Sequence, residues 1–190
     1  NDLIALGKEW APLLPHTAFV SPHAPEPCGM APMGRQWFDL SRGDMTIIAE
    51  GVKRAAPALE SFLDTELERQ GLTSESLALV GFSQGTMMAL SVGLTRPTSP
   101  AAIVGYSGAL ATVEALPPPG QGPAILLVHG DKDEVIPVDA MIMAREVLGQ
   151  AGLSVQWHVS RGIGHGIDGD GLRLGGDFLK QAFTGTITAD

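Results

Sequence analysis

Gly81-Phe82-Ser83-Gln84-Gly85 carries the sharpest chemical signal in the 190-residue chain. An apolar run, Leu77–Val80, precedes it and a helix-like run, Gln84–Leu94, follows it. In that setting a G-x-S-x-G pentapeptide reads as a nucleophile on a sharp strand-to-helix turn. The turn brings backbones close together, so the positions two before and two after Ser83 are expected to tolerate little side chain. It also lifts the hydroxyl clear of the sheet edge. The Gln84 backbone N–H, at the helix N-terminus, then points to where an oxyanion would develop. The plainer alternative is a tight turn whose serine caps the helix; the strand and helix on either side favour the nucleophile.

A serine hydroxyl needs a base to take its proton, and histidine is the usual choice. Of the five histidines, His16 and His23 flank a proline-rich loop and read as turn or packing residues. His129 closes an apolar run and reads as orienting the loop after it, while His158 sits in a polar-apolar alternation. His165 stands in Gly162-Ile163-Gly164-His165-Gly166, a loop that can lay an imidazole across the end of a sheet, and it is the favoured base. The third group is an acid that fixes the imidazole tautomer. Asp131, Asp133 and Glu134 compete for it in His129-Gly130-Asp131-Lys132-Asp133-Glu134-Val135-Ile136-Pro137. Asp131 is placed to satisfy turn N–H groups and Glu134 to be solvated. The spacing favours Asp133, and the chain order Ser, Asp, His is that of α/β-hydrolases.

These residues must be held by a sheet, and the chain supplies one. Short apolar runs alternate with amphipathic stretches, the pattern of a mostly parallel sheet with helices on both faces. Leu3, Ile4, Leu6, Trp10 and Leu13 suggest a first helix, Thr17–Val20 a strand, and residues 21–43 a long irregular loop. Asp44 is placed to cap a long helix closed by Gly71, with Pro57 expected to kink or restart it. Ala101–Tyr106 and Ala124–Val128 read as strands, and Pro137 to about Leu148 as a helix. Val155, Trp157 and Val159 alternate with Gln156, His158 and Ser160, and a last helix carries Leu172, Phe178, Leu179 and Phe183. Residues 107–123 are too few for an independent cap domain. Residues 1–190 are accordingly read as one domain.

Composition excludes several classes. Twelve Lys+Arg against 21 Asp+Glu give a formal charge of −9, which argues against a nucleic-acid or polybasic membrane-surface protein. Hydrophobic residues at 44% and charged residues at 17% rule out disorder. Ser76 to Thr95 is uncharged and long enough to span a bilayer, but its internal Gly, Ser, Thr and Gln residues make it a buried strand followed by a buried helix. Cys28 is the only cysteine, which excludes internal disulfides and all-cysteine zinc sites and fits a cytoplasmic protein. No metal or cofactor is implied.

Pro22-His23-Ala24-Pro25, Trp37-Phe38-Asp39, Gly81–Gly85, His129–Pro137 and Gly164-His165 occur together and in one order across nearly the whole chain. In this the chain resembles the phospholipase/carboxylesterase family, which includes carboxylesterases and acyl-protein thioesterases. The resemblance implies an α/β-hydrolase fold with Ser83 as nucleophile, Asp133 as acid and His165 as base. It gives no derivable role to Trp37-Phe38-Asp39, which reads as packing of the long loop. The family begins with a strand and a glycine-rich His-Gly loop that provides a second oxyanion N–H; Asn1-Asp2-Leu3 resembles the residues just after it. That strand and donor are therefore expected upstream of Asn1.

The leading expectation is a serine hydrolase of carboxylic esters, or thioesters, of short- to medium-chain acyl groups. Met30, Met33, Trp37, Phe82, Met87 and Leu110 are candidates to line the acyl pocket, with core packing an equal reading for Phe82 and Met87. The expected partner is a small-molecule substrate, with no nucleic acid and no membrane span; a homodimer is compatible with the sequence. The alternatives are a catalytically silent binding module and a triad hydrolase of amides or lactones.

Overall fold

The computed structural model describes residues 3–29, 33–40, 43–113 and 115–187. Its elements are α1 (Ile4–Trp10), β1 (Glu26–Pro27), β2 (Arg35–Gln36), α2 (Met45–Gln70), a 3-10 turn (Ser74–Ser76), β3 (Ala78–Phe82), α3 (Gln84–Thr95), β4 (Ala102–Tyr106), β5 (Ala124–Gly130), α4 (Asp139–Gln150), β6 (Val155–Ser160) and α5 (Gly169–Thr184). Strands β3, β4, β5 and β6 lie side by side in that order, all parallel. A parallel sheet needs cover on both faces, because its crossovers return over them. Residues of β5 show the division. Ile125 and Leu127 face a core with Val52, Leu90 and Leu148, from α2, α3 and α4. Leu126 and Val128 face a second core with Trp10, Phe178 and Leu179, from α1 and α5. Burial on both sides explains the uncharged stretch 76–95, which forms β3 and α3. Among the described residues no helix is long and apolar enough to cross a membrane.

Helix α2 is bounded as its sequence suggests: Asp44 accepts the Thr46 N–H at 2.7 Å, and Gly71 closes the helix in the left-handed conformation. The expected restart at Pro57 does not occur, and α2 is one helix. Pro57 stands on the exposed side, while Ile48, Val52, Ala55, Leu59 and Leu63 continue one buried face past it. An interior proline costs about 3 kcal/mol. Burying each large apolar side chain returns about 1.5–3 kcal/mol, so the four large ones, Ile48, Val52, Leu59 and Leu63, outweigh it. On the other face, α5 presses against the sheet through glycines: a Cβ on Gly175 would stand 1.9 Å from the Tyr106 hydroxyl oxygen.

Three expectations need correction. Thr17–Val20 joins no ladder among the described residues, although Phe19 packs against Gly7; a strand exists only by its neighbour, and none of the described strands lies beside it. The loop 21–43 is not wholly irregular. Glu26 pairs with Gln36 and Pro27 with Arg35 in a short antiparallel hairpin, tied by the Arg35 guanidinium to the carbonyls of Ala24 and Pro25. On β6 the alternation reads wrongly, because β6 is an edge strand. Trp157 is half exposed beneath the Arg145 guanidinium, whereas Ser160 is buried and donates to Asp168 at 2.8 Å. No cap is inserted between β4 and β5, where residues 107–123 contain no helix or strand among the described residues.

Candidate active site

Ser83 sits between β3 and α3 with φ 54° and ψ −117°, a conformation costly for a residue with a Cβ. The surroundings hold it there. The Tyr106 carbonyl accepts both the Ser83 N–H, at 2.8 Å, and the Thr86 hydroxyl, at 2.9 Å. A Cβ on Gly81 would lie 2.3 Å from the Gly85 carbonyl oxygen, and one on Gly108 would lie 2.3 Å from the Thr86 Cβ. The expectation for Gly85 is corrected: among the described residues nothing stands nearer than Leu3, at 4.0 Å, so among them only the first glycine of the pentapeptide is sterically required. Although Ser83 occupies the N-cap position, its side chain makes no capping bond. The hydroxyl is left for other chemistry. Gln84 opens α3, so its N–H belongs to the first turn, where amides have no carbonyl one turn back.

His165 lies close by. Its ring centroid is 4.8 Å from that of Phe82, the neighbour of Ser83. Its Nδ1 is 2.8 Å from Asp133 Oδ2, so Nδ1 carries the proton and Nε2 is left to accept one. Several contacts hold the loop in place. Asp131 Oδ1 accepts the Gly162 N–H at 2.6 Å, and the Lys132 N–H donates to the Ile163 carbonyl at 2.9 Å. Gly130 permits the approach, since a Cβ there would be 2.2 Å from the Ile163 oxygen.

Of the three competing acids, only Asp133 meets the imidazole. Asp131 serves backbone and Glu134 is exposed. The Asp133 side chain is fully buried, and Oδ1 accepts the N–H groups of Val135 and Ile136, each at 2.9 Å. Burial is the strongest single influence and would raise its carboxyl pKa. The His165 hydrogen bond, the two amides and the His165 charge together outweigh burial and hold it below the ordinary value. It is a carboxylate built to stay ionised. Asp168, at the start of α5, is likewise held low against burial by the Gly171 N–H and the Ser160 hydroxyl, but it supports structure away from Ser83.

The remaining histidines divide as their settings suggest. His16 and His23 are exposed, and His158 is half-buried near Asp168. His129 is buried, with Nε2 2.8 Å from the Ile136 carbonyl oxygen. The substrate candidates scatter. Met30 lies outside the described residues, as does the second oxyanion donor expected before Asn1. Met33 is 97% exposed, Met87 is buried at 3% in the α2–α3–α4 core, and Leu110 is half-buried against that core. Helix packing therefore removes Met87 from a pocket wall. Phe82 and Trp37 are half-buried near the Ser83 turn.

Sequence reasoning missed one connection. The Gln84 side chain accepts the Trp37 N–H through Oε1 and donates through Nε2 to the Phe38 carbonyl, both at 2.7 Å. A primary amide matches both groups of an extended backbone, so Gln84 staples the long loop to the Ser83 turn. Phe38, fully buried against Gly51, completes the anchorage. The only available signal was that Trp37-Phe38-Asp39 joined two aromatic residues to a loop with no strand pattern.

A parallel sheet with a strained serine after one strand and an Asp-His pair on the loops after two others defines an α/β-hydrolase. Residues 2–183 match the family described as phospholipase/carboxylesterase, and the chain belongs to that family. It is a carboxylesterase-type hydrolase. It is similar to esterase YpfH of Escherichia coli, with 30% identity over 92% of this chain and 74% of that protein. To acyl-protein thioesterase 1 of Gibberella zeae it shows 29% identity over 77% of this chain and 69% of the relative. Among solved structures, esterase PE8 superposes with a TM-score of 0.89 at 39% identity, over 95% of this chain and 86% of its own.

Proposed function

We propose that the protein hydrolyses carboxylic esters, and thioesters, of short- to medium-chain acyl groups through an acyl-enzyme on Ser83. The observation that carries this reading is the pairing of His165 Nδ1 with the buried Asp133 carboxylate at 2.8 Å, with the imidazole packed on Phe82 beside Ser83. His165 Nε2 takes the Ser83 proton as Oγ attacks the acyl carbon, and Asp133 stabilises the imidazolium. The Gln84 N–H, at the positive end of α3, binds the developing oxyanion. Collapse expels the alcohol or thiol, which receives the proton from His165. Water then attacks the acyl-enzyme by the same route. Esters and thioesters pass through one tetrahedral oxyanion, and the names of the relatives include both activities.

The short 107–123 connection and the stapled loop leave the site without a cap, which favours soluble substrates over lipid aggregates. We read residues 1–190 as one catalytic domain. A chain with one thiol, Cys28, suits the reducing cytoplasm. The test is labelling by a serine-directed fluorophosphonate with peptide mapping. Label should appear on Ser83 and disappear, with turnover, in Ser83→Ala. Label on another serine, or a fully active alanine variant, would sink the assignment.

A further inference from the structure

We propose that His129 is a positioning residue for the acid of the triad, a proposal that rests on the assignment of Asp133 above. His129 is the penultimate residue of β5, four residues before Asp133, and both side chains are shut off from solvent. A carbonyl oxygen can only accept, so the 2.8 Å contact between His129 Nε2 and the Ile136 oxygen fixes the imidazole proton on Nε2. The same nitrogen lies 3.4 Å from Asp133 Oδ2, the oxygen that accepts from His165 Nδ1 at 2.8 Å.

The buried carboxylate is therefore held by three N–H groups, with the His129 ring packed against it. Val135 and Ile136 amides bind Oδ1 and His165 binds Oδ2, while His129 Nε2, its proton given to Ile136, lies 3.4 Å from Oδ2. Ile136 is gripped twice, its N–H by Asp133 and its carbonyl by His129. Without His129, the turn 133–136 loses the bond that closes it, and the ring no longer stands 3.4 Å from Oδ2, where it blocks the carboxylate from swinging away from His165. A small void of about 10 Å³ touches the His129 ring beside Thr86, Leu127 and Met141. It holds at most one water, so solvent is poorly placed to replace the imidazole.

Three variants test this, with steady-state kinetics and the low-field proton resonance of the His165 Nδ1–H on Asp133 as readouts. His129→Leu should lower kcat by about 10-fold, the worth of the one hydrogen bond that closes the turn holding Asp133. KM should change little, and the low-field resonance should shift upfield or vanish. Gln places its amide nitrogen near the position of Nε2 and Asn near that of Nδ1. His129→Gln should therefore recover most of kcat and the resonance, and His129→Asn should not. This contrast remains decisive if His129→Leu fails to fold. Equal rates for Gln and Asn, or a folded Leu variant with parental kcat and an unmoved resonance, would overturn the inference. In that event an inactive Asp133→Asn would leave the triad standing. A fully active Asp133→Asn would instead bring down the triad assignment and this inference together.

Discussion

The turn at Ser83 and the loops carrying Asp133 and His165 are held by different physics. Around Ser83 the constraint is steric: Gly81 and Gly108 remove Cβ atoms that would overlap backbone or Thr86, and Ser83 is held at φ 54°. Around Asp133 and His165 it is electrostatic. Two carboxylates, Asp131 and Asp133, collect N–H groups from their own turn and from the loop carrying His165. A steric site requires particular residue types at fixed spacing, whereas a hydrogen-bonded site recruits backbone amides that any sequence supplies. The first should break on adding one methyl group and the second on removing one charge.

The largest effect is therefore expected from Gly81→Ala. Its new Cβ would meet a backbone carbonyl at 2.3 Å, and backbone cannot move aside without unwinding the start of α3. The variant should be recovered unfolded or aggregated. Among the described residues Gly85→Ala meets nothing nearer than 4.0 Å, and it replaces a poor helix former by a good one. It should melt at or above the parent temperature. Thermal unfolding of the pair checks both, and equal losses would restore a symmetric role for the two glycines.

How much was legible in the sequence follows the same division. Gly81-Phe82-Ser83-Gln84-Gly85 announced itself because steric demands leave residue-type fingerprints at short range. The two-sided burial of β3, β4 and β5 showed as continuous apolar runs. Spacing favoured Asp133 over Asp131 only weakly and the family resemblance strengthened the choice, because the partners that distinguish them are backbone groups and His165, 32 residues away. The Gln84 staple was invisible for the same reason: its partners at Trp37 and Phe38 present only peptide groups. The β6 alternation misled because period-two patterning does not tell an edge strand from a central one.

On the electrostatic side, Asp133→Asn keeps the shape and removes the charge. It should lower kcat by about 10⁴-fold, as loss of the acid does where it fixes the imidazole tautomer. The carboxyl pKa lies below its ordinary value in the folded protein, so Asp133 contributes stability above the ordinary carboxylate range, and that contribution is lost as pH falls through the depressed pKa. Denaturant titrations from neutral to acid pH should therefore show a steeper loss of stability in the parent than in the Asn variant. A parallel decline would remove the electrostatic account of this turn.

Asp131→Asn should have the smallest effect, and it separates the two neighbouring carboxylates most sharply. Asp131 is exposed, touches no imidazole and accepts the Gly162 N–H at 2.6 Å. An asparagine can still offer its carbonyl oxygen to that amide, so what is lost is the charge on one partly solvated hydrogen bond, worth about 1 kcal/mol. For a chain of this size that corresponds to about 2–4 °C in melting temperature. Activity at moderate temperature should stay within a few-fold of the parent, because Lys132 still holds Ile163 and Gly130 still admits the His165 loop. Measured beside Asp133→Asn, the contrast is a melting shift without a rate loss against a rate loss of several orders. If Asp131→Asn instead removed activity while Asp133→Asn did not, the acid would have to be reassigned two residues upstream, and the 2.8 Å pairing of Asp133 with His165 would be structural support rather than part of the reaction.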